Sequence, residues 1–254
     1  MTMKMNGNTI LITGGNSGIG RALAEAFHAL GNQVIVTGRR QETLDAVTAA
    51  NPGMKGMMLD LSDADAIKTF SAEIVAAYPS LNAVINNAGI MVPEHIGAGS
   101  DYLSTAEETI TANLLGPIRL IAALLPQLST QEDAAILTVS SGLAFVPMAL
   151  TPTYSATKAA IHSYSMAIRQ QLKDAGPQVI EIVPPYVQTT LMSERQASDP
   201  NAMPLADFIS EVMDILTTQP DVKEVVVERC KPLRHAAENG NLDAMFNGIN
   251  SMIH

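Results

Sequence analysis

The chain of 254 residues allows one large domain or two ordinary ones, and its 47% hydrophobic and 16% charged residues favour a buried core over disorder. The formal net charge of −10 argues against a nucleic-acid or anionic-membrane partner. The lone Cys230 excludes an internal disulfide, and no apolar run has the length of a signal peptide or membrane span, so we expect a soluble, cytoplasmic protein.

Short apolar runs alternate with longer helical patterns along the whole chain. The runs that predict buried strands are residues 9–13, 33–37, 55–59, 83–86, 134–140, 178–183 and 222–227. The patterns that predict helices are residues 18–30, 42–50, 63–77, 103–125, 152–174 and 204–217. This alternation predicts an α/β fold: a doubly wound parallel sheet of about seven strands flanked by helices on both faces. We expect a single domain over residues 1–254. The polar, proline-broken segment 189–204 interrupts the pattern and is expected to be a functional loop.

A glycine-rich loop follows the first predicted strand and opens the first helix. Gly14, Gly18 and Gly20 stand in a G-x-x-x-G-x-G arrangement, with Gly15 as an extra glycine. Glycines permit positive φ and let the backbone approach phosphates, while the helix N-terminus offers N–H groups to an anion. The placement after the first strand favours a dinucleotide site over glycines retained for packing alone.

The end of the second predicted strand reads "VTGRR" and carries no carboxylate. An acid at this point would bind the 2′-hydroxyl of NAD. Arg39 and Arg40 instead offer guanidinium groups, which pair well with a 2′-phosphate. We therefore expect NADP, with NAD as a possible cofactor; two solvated arginines in a loop are the alternative.

Tyr154 and Lys158 are separated by one helical turn. Thr151 is a suitable N-cap and Pro152 suits the first helical position, so Tyr154 is expected in the first turn. A cation about 4 Å away at an effective dielectric near 20 supplies about 4 kcal/mol. That is enough to lower the pKa of a tyrosine from about 10 to about 7. We expect Tyr154 to be a usable acid and base, against the alternative of an ordinary solvated helix.

Taken together, several motifs are similar in order and spacing to the short-chain dehydrogenase/reductase (SDR) family, with its TGxxxGxG and YxxxK motifs. They are "TGGNSGIG" at 13–20, "DLS" at 60–62, "NNAG" at 86–89, "TANLLG" at 111–116, "SS" at 140–141, "YSATK" at 154–158 and "PPYVQT" at 184–189. The resemblance implies a Rossmann-type fold and an NAD(P)-dependent oxidoreductase. It also implies a small-molecule substrate and a homodimer or homotetramer formed through the two long helices.

The resemblance also assigns site residues. It implies the catalytic set Asn113, Ser141, Tyr154 and Lys158, with Ser140 as the alternative serine. Ser141 is favoured because the family usually places this serine thirteen residues before the tyrosine. The implied cofactor-binding residues are Gly14, Asn16, Ser17, Gly18, Ile19, Gly20, Arg39, Arg40, Asp60, Leu61, Asn86, Ala88, Gly89, Tyr154, Lys158, Pro184, Val187 and Thr189, and no metal site is expected.

The chain departs from the family pattern at two further places. The usual Pro-Gly after the sixth strand is Pro184-Pro185, and the usual glycine-rich ending is replaced by an atypical tail, residues 228–254, able to pack as a helix or meet another subunit. The apolar side chains of Met91, Val92, Phe145, Val146 and Leu150 are either a substrate wall or ordinary loop packing.

The leading prediction is hydride transfer between nicotinamide and the carbonyl or secondary alcohol of a small, partly apolar substrate. Tyr154 would be the acid/base, Ser141 would polarise the substrate oxygen, Lys158 would lower the tyrosine pKa and bind ribose, and Asn113 would hold a water. The alternatives are a 3-oxoacyl reductase for carrier- or CoA-bound chains and a non-catalytic dinucleotide-binding sensor or scaffold.

Overall fold

Seven strands form one parallel sheet in the computed structural model, which describes residues 2–99, 102–174 and 176–251. The strands are β1 (Thr9–Thr13), β2 (Gln33–Gly38), β3 (Lys55–Met58), β4 (Leu81–Asn86), β5 (Ala135–Val139), β6 (Gln178–Val183) and β7 (Glu224–Val226). Their order across the sheet is β3-β2-β1-β4-β5-β6-β7, and every pairing is parallel. The predicted doubly wound parallel sheet is confirmed.

Helices connect successive strands and cover both faces of the sheet. They are α1 (Gly18–Ala29), α2 (Gln41–Ala50), α3 (Ala64–Ala77), α4 (Tyr102–Ile110), α5 (Gly116–Leu128), α6 (Pro152–Leu172), α7 (Leu205–Thr218), α8 (Lys231–Arg234) and α9 (Leu242–Asn250). The predicted tail therefore folds as α8 and α9, with its residues 252–254 outside the described part of the chain.

Strand side chains alternate between two apolar layers, as the period of two in a strand requires. Ile10 and Ile12 of β1 pack with Phe27 of α1 and Phe208 of α7 on one face. Leu11, between them, packs on the other face with residues of α3 and α5. Because both faces are covered, the central strands read as uninterrupted apolar runs.

Residues 102–128 form one continuous helical segment with a π-turn at Thr111–Leu115. An 18-residue stretch of it has a mean hydropathy of 1.4, so by length and composition the segment could cross a membrane, which the lack of a long uninterrupted apolar run did not predict. Its side chains Leu120 and Leu124 are buried against the sheet, and a core helix of a globular domain meets the same criterion.

The chain reverses its winding direction beside β1, which pairs with β2 on one side and β4 on the other. In such sheets ligands bind in the crevice beyond the carboxyl ends of the strands at this point. Thr13 ties the two ends together, because its Oγ1 accepts hydrogen bonds from the backbone N–H groups of Asn87 and Ala88, each at 3.1 Å. The fold thus places the glycine loop and the "NNAG" motif side by side.

Candidate active site

A cleft of about 1190 Å³ opens at this edge of the sheet. Every predicted site residue lines it except Gly20, Asn86 and Asn113. The glycine loop lies in one part of its wall, the ends of β2 and β3 in a second, and Ser141, Tyr154 and Lys158 in a third. The topology therefore brings together residues that are far apart in the sequence.

The glycine loop has the conformation that a phosphate-binding turn requires. Gly14 and Gly18 have φ values of +65° and +52°, which favour glycine. A Cβ on Gly14 would lie 2.9 Å from the Cα of Ala88, so no larger residue fits without moving the backbone. The first turn of α1 follows at once and presents its free N–H groups. This loop and helix end fit the diphosphate of a dinucleotide.

Gly20 serves packing rather than the wall of the cleft. A Cβ on Gly20 would lie 2.3 Å from Nδ2 of Asn87, which donates to the backbone oxygen of Thr13 at 3.0 Å. Asn87, which was not among the predicted site residues, lines the cleft, whereas Asn86 ends β4 and lines a separate small cavity. The alternation of side chains at the strand end is the signal that separates these two neighbours.

Asn86 and Asn113 meet at a small buried cavity of about 10 Å³ that Lys158 also lines. Asn113 lies in the π-turn, where its side chain accepts from the N–H of Ile90 and donates to the oxygen of the same residue, both at 2.8 Å. The side-chain oxygen and nitrogen of Asn86 have no hydrogen-bond partner among the described residues. A cavity of this size holds one water molecule, which these polar groups would bind.

The part of the cleft beyond β2 is open and basic. Arg39 and Arg40 are exposed, and within the described residues neither forms an ion pair. Asp60 points its carboxylate at its own turn, accepting from the N–H of Ser62 at 2.9 Å. A phosphate at this point would meet two guanidinium groups that have no competing carboxylate.

Tyr154 is buried beside Ser141 and Lys158 at the other end of the cleft. Burial raises the pKa of Tyr154 to about 12, and a hydrogen bond with Ser141 acts in the opposite direction. Lys158 Nζ lies 5.5 Å from the centre of the tyrosine ring and donates to the oxygen of Val139 at 2.7 Å. The expected pKa near 7 is not found in the free protein, because the cost of burying a phenolate exceeds the stabilisation from the Ser141 hydrogen bond.

The start of α6 is capped differently from the expectation. Thr151 occupies the N-cap position, but its hydroxyl forms no hydrogen bond with the described residues. The carboxylate of Glu94 accepts instead from the N–H of Thr153 at 3.3 Å and from its hydroxyl at 2.7 Å. Glu94 is almost fully buried, so the loop after β4 fixes the first turn that carries Tyr154. This role of Glu94 could not be predicted from the sequence, because Glu94 lies far from α6 along the chain.

The tail contributes apolar side chains to the wall of the cleft. Leu233 and Ile249 line it together with Met148 and Leu150. The side chain of Asn250 holds α9 in place, because its oxygen accepts from the N–H of Ala149 at 2.6 Å. Its nitrogen donates to the oxygen of Pro147 at 3.2 Å.

The five apolar residues singled out in the sequence divide between wall and packing. Met91, Val92 and Leu150 line the cleft, whereas Phe145 packs on His162 and Val146 is buried.

The loop after β6 is also ordered: Gln196 is buried and donates to the oxygen of Val187 at 2.9 Å and to the hydroxyl of Thr189 at 3.1 Å.

The fold and cleft are those of a dinucleotide-binding oxidoreductase. A family model described as short chain dehydrogenase matches residues 8–200, and the chain belongs to this family. "Uncharacterized oxidoreductase DltE" of Bacillus subtilis (strain 168) is 36% identical over 252 residues, covering 98% of this chain and 99% of the relative. The resemblance stated from the motifs is thereby confirmed, and the protein is an NAD(P)-dependent dehydrogenase/reductase.

Two solved structures have the same fold. A short-chain dehydrogenase from Burkholderia cenocepacia J2315 in complex with NADP has a TM-score of 0.81 and 22% identity, covering 96% of this chain and 99% of that one. A short-chain dehydrogenase/reductase from Burkholderia phymatum in complex with NAD has a TM-score of 0.78 and 19% identity, covering 95% and 96%. Both dinucleotides thus occur on this fold.

Proposed function

We propose that this protein is an NADP-dependent carbonyl reductase or alcohol dehydrogenase for small, partly apolar substrates. The observation that carries the proposal is a buried tyrosine at the wall of a dinucleotide-sized cleft, with a serine hydroxyl and a buried ammonium beside it. A protein that only bound a dinucleotide would need neither the serine nor the tyrosine. The purified protein should therefore oxidise NADPH with members of a panel of aldehydes, ketones and 3-oxoesters, and a lack of turnover across the panel would count against the proposal.

NADPH bound in the cleft would supply the hydride. The backbone of the glycine loop would hold its diphosphate, Asp60 would contact adenine, and Val187 and Thr189 would hold its carboxamide. Tyr154 would donate a proton from its hydroxyl to the substrate oxygen as negative charge develops there. The phenol is the form that the free protein holds, because its pKa is raised to about 12.

Ser141 would hydrogen-bond the same substrate oxygen and orient the carbonyl. Lys158 would stabilise the phenolate that remains and bind the ribose hydroxyls. Asn113 and the small cavity beside it would hold the water that returns a proton to this end of the site.

Removing the guanidinium groups of Arg39 and Arg40 should change cofactor preference. The double change to Ala should raise the KM for NADPH about tenfold or more, since charge-assisted phosphate hydrogen bonds are worth roughly 1.5–3 kcal/mol each. The KM for NADH should stay nearly constant. Steady-state kinetics with both cofactors measure this, and Arg119→Ala, which removes a charge outside the cleft, is the control. Equal effects on both cofactors would contradict the NADP assignment.

Shortening the apolar wall should weaken selection for longer substrates. Ile249→Ala and Leu233→Ala should each lower kcat/KM for a long-chain ketone by about tenfold, because a buried methylene contributes about 0.8 kcal/mol. A short aldehyde should be affected little. The ratio of kcat/KM for the two substrates is the readout. Phe246→Ala, on the same helix as Ile249 but outside the cleft, is the matched control. An equal loss of kcat/KM in that variant would contradict the assignment of the apolar wall.

We also propose a cytoplasmic homodimer or homotetramer. Support for association comes from exposed apolar side chains on the two long helical segments, among them Leu103, Ile110, Leu115 and Met166. Sedimentation velocity with Met166→Glu tests whether these surfaces associate.

A further inference from the structure

The face of α6 that packs on the sheet is polar along four successive positions. Lys158, His162, Ser165 and Arg169 follow one another at spacings of three or four residues, so they share one side of the helix. The strands opposite also present polar side chains, since Thr138, Glu181 and Glu224 are register partners across β5, β6 and β7. We call these seven residues the polar seam.

Each helix residue of the polar seam has a partner on the sheet. Lys158 donates to the oxygen of Val139 at 2.7 Å, and Ser165 shares a hydrogen bond of 2.8 Å with Thr138. His162 Nδ1 lies 2.8 Å from Oε2 of Glu181. Arg169 donates to the oxygens of Val179 and Lys223, both at 2.9 Å. Hydrogen bonds from each of these helix residues fix the position of the helix more strictly than apolar packing does.

Glu181 is the central charged member of the polar seam. Its side chain is fully buried, and Oε1 has no hydrogen-bond partner among the described residues. Three basic side chains of α6 face it, namely Lys158, His162 and Arg169, and Arg234 on α8 pairs with the neighbouring Glu224. Glu224 on β7 and the buried Cys230 thiol are its other titratable neighbours.

A metal ion is the obvious alternative occupant of this cluster, since ligand atoms of His162, Glu181 and Glu224 lie within 4.8 Å of one another. Arg234 already occupies the position of a cation, because its guanidinium donates to both oxygens of Glu224, at 2.6 and 3.2 Å. A divalent ion would have to displace the Arg234 guanidinium or lie beside it. The cluster therefore balances carboxylates with side-chain cations.

We infer that Glu181 is a positioning residue: from inside the sheet its buried carboxylate holds His162 and supports the ammonium of Lys158, one helical turn away, behind Tyr154. The inference rests on the proposed function for the role of Lys158 in the reaction. The two groups lie on facing surfaces of β6 and α6, and His162, one turn beyond Lys158, anchors the carboxylate. Tyr154, Lys158 and His162 thus lie along one side of α6, and the carboxylate of Glu181 lies on the sheet beneath that side.

The protonation of Lys158 supports this arrangement. Burial lowers the pKa of Lys158 to about 8, and the carboxylate of Glu181 acts against that decrease. The lysine consequently stands close to losing its charge near neutral pH. A carboxylate near an ammonium raises its pKa, because the negative charge favours the protonated form.

Glu181→Gln should therefore lower the pKa of Lys158 by about half a pH unit or more. Trace acetylation across a pH series, quantified by mass spectrometry at Lys158, measures this pKa in the purified full chain without any need for turnover. In reduction assays the alkaline limb of kcat/KM should move to lower pH by the same amount. If acetylation of Lys158 follows the expected pH dependence but the protein shows no turnover, the proposed function has failed and this inference stands.

Two matched variants make the test specific. Glu224→Gln removes the same charge one strand further from α6, and Thr138→Val breaks a neutral contact of the polar seam; both should leave the pKa of Lys158 unchanged. If Glu181→Gln does not fold, Glu181→Met with His162→Leu removes the pair without leaving a buried charge. An unchanged pKa in the Glu181 variants, or an equal shift with Glu224→Gln, would overturn the inference.

Discussion

Tyr154→Phe is expected to lower kcat for carbonyl reduction by about three orders of magnitude, since a positioned general acid contributes about 10²–10⁴-fold. The affinity for NADPH should change little, because the phenylalanine ring fills the same buried volume and leaves Lys158 and the glycine loop in place. Single-turnover kinetics and fluorescence titration of NADPH measure the two quantities separately.

Two comparisons make the Tyr154→Phe result specific. Tyr164→Phe removes a hydroxyl from the same helix at a half-buried position outside the cleft, and its activity should be near that of the wild type. Both variants should have the circular dichroism spectrum and the thermal unfolding midpoint of the wild type, within small differences. Retention of more than about a tenth of the wild-type kcat by Tyr154→Phe would remove the phenol from the mechanism, because general acids contribute at least about 10²-fold.

Ser141→Ala is expected to lower kcat by about 10²–10³-fold, the usual effect of removing one donor to a developing oxyanion. Its hydroxyl meets both Tyr154 and the cleft, and it also accepts from the N–H of Leu143 at 3.1 Å. The KM for NADPH should remain constant because the variant leaves the cofactor end of the cleft intact. Initial rates at saturating cofactor are the measurement.

The neighbouring serine is the natural control for this variant. Ser140 also lines the cleft, but the residue is almost completely buried and its hydroxyl donates to the oxygen of Ile182 at 3.4 Å. Ser140→Ala should therefore affect stability more than rate. A larger loss of kcat in Ser140→Ala than in Ser141→Ala would reverse the assignment of the two residues.

Local patterns were sufficient to predict the sheet and most of the cleft. Strands buried on both faces are largely apolar, and glycines in the first turn have a specific conformational reason, so β1, β2 and Gly14 were predictable from neighbours in the sequence. The loop after β6 and the tail were not, because the folds of these segments depend on contacts such as those of Gln196 and Asn250 with distant backbone.

The roles of Glu94 and Glu181 were missed because they arise from long-range contacts. Glu94 caps α6, which begins 58 residues later, at Pro152. Glu181 lies on β6 and contacts His162 of α6. The pKa of Tyr154 was misjudged for a related reason. Helical spacing predicted the neighbouring cation correctly, but only the folded protein determines how far burial removes both groups from water.

The most direct test of the account is transfer of deuterium from NADPH labelled at C4 of the reduced nicotinamide. Incubation with the best ketone of the panel, followed by mass spectrometry of the alcohol, reports whether the hydride reaches the carbonyl carbon. We expect one deuterium on the carbinol carbon with the wild type, from one face of the cofactor only, and almost none with Tyr154→Phe. Tight NADPH binding without labelled alcohol from any substrate, or undiminished labelling with the variant, would contradict the proposed reductase and its use of Tyr154.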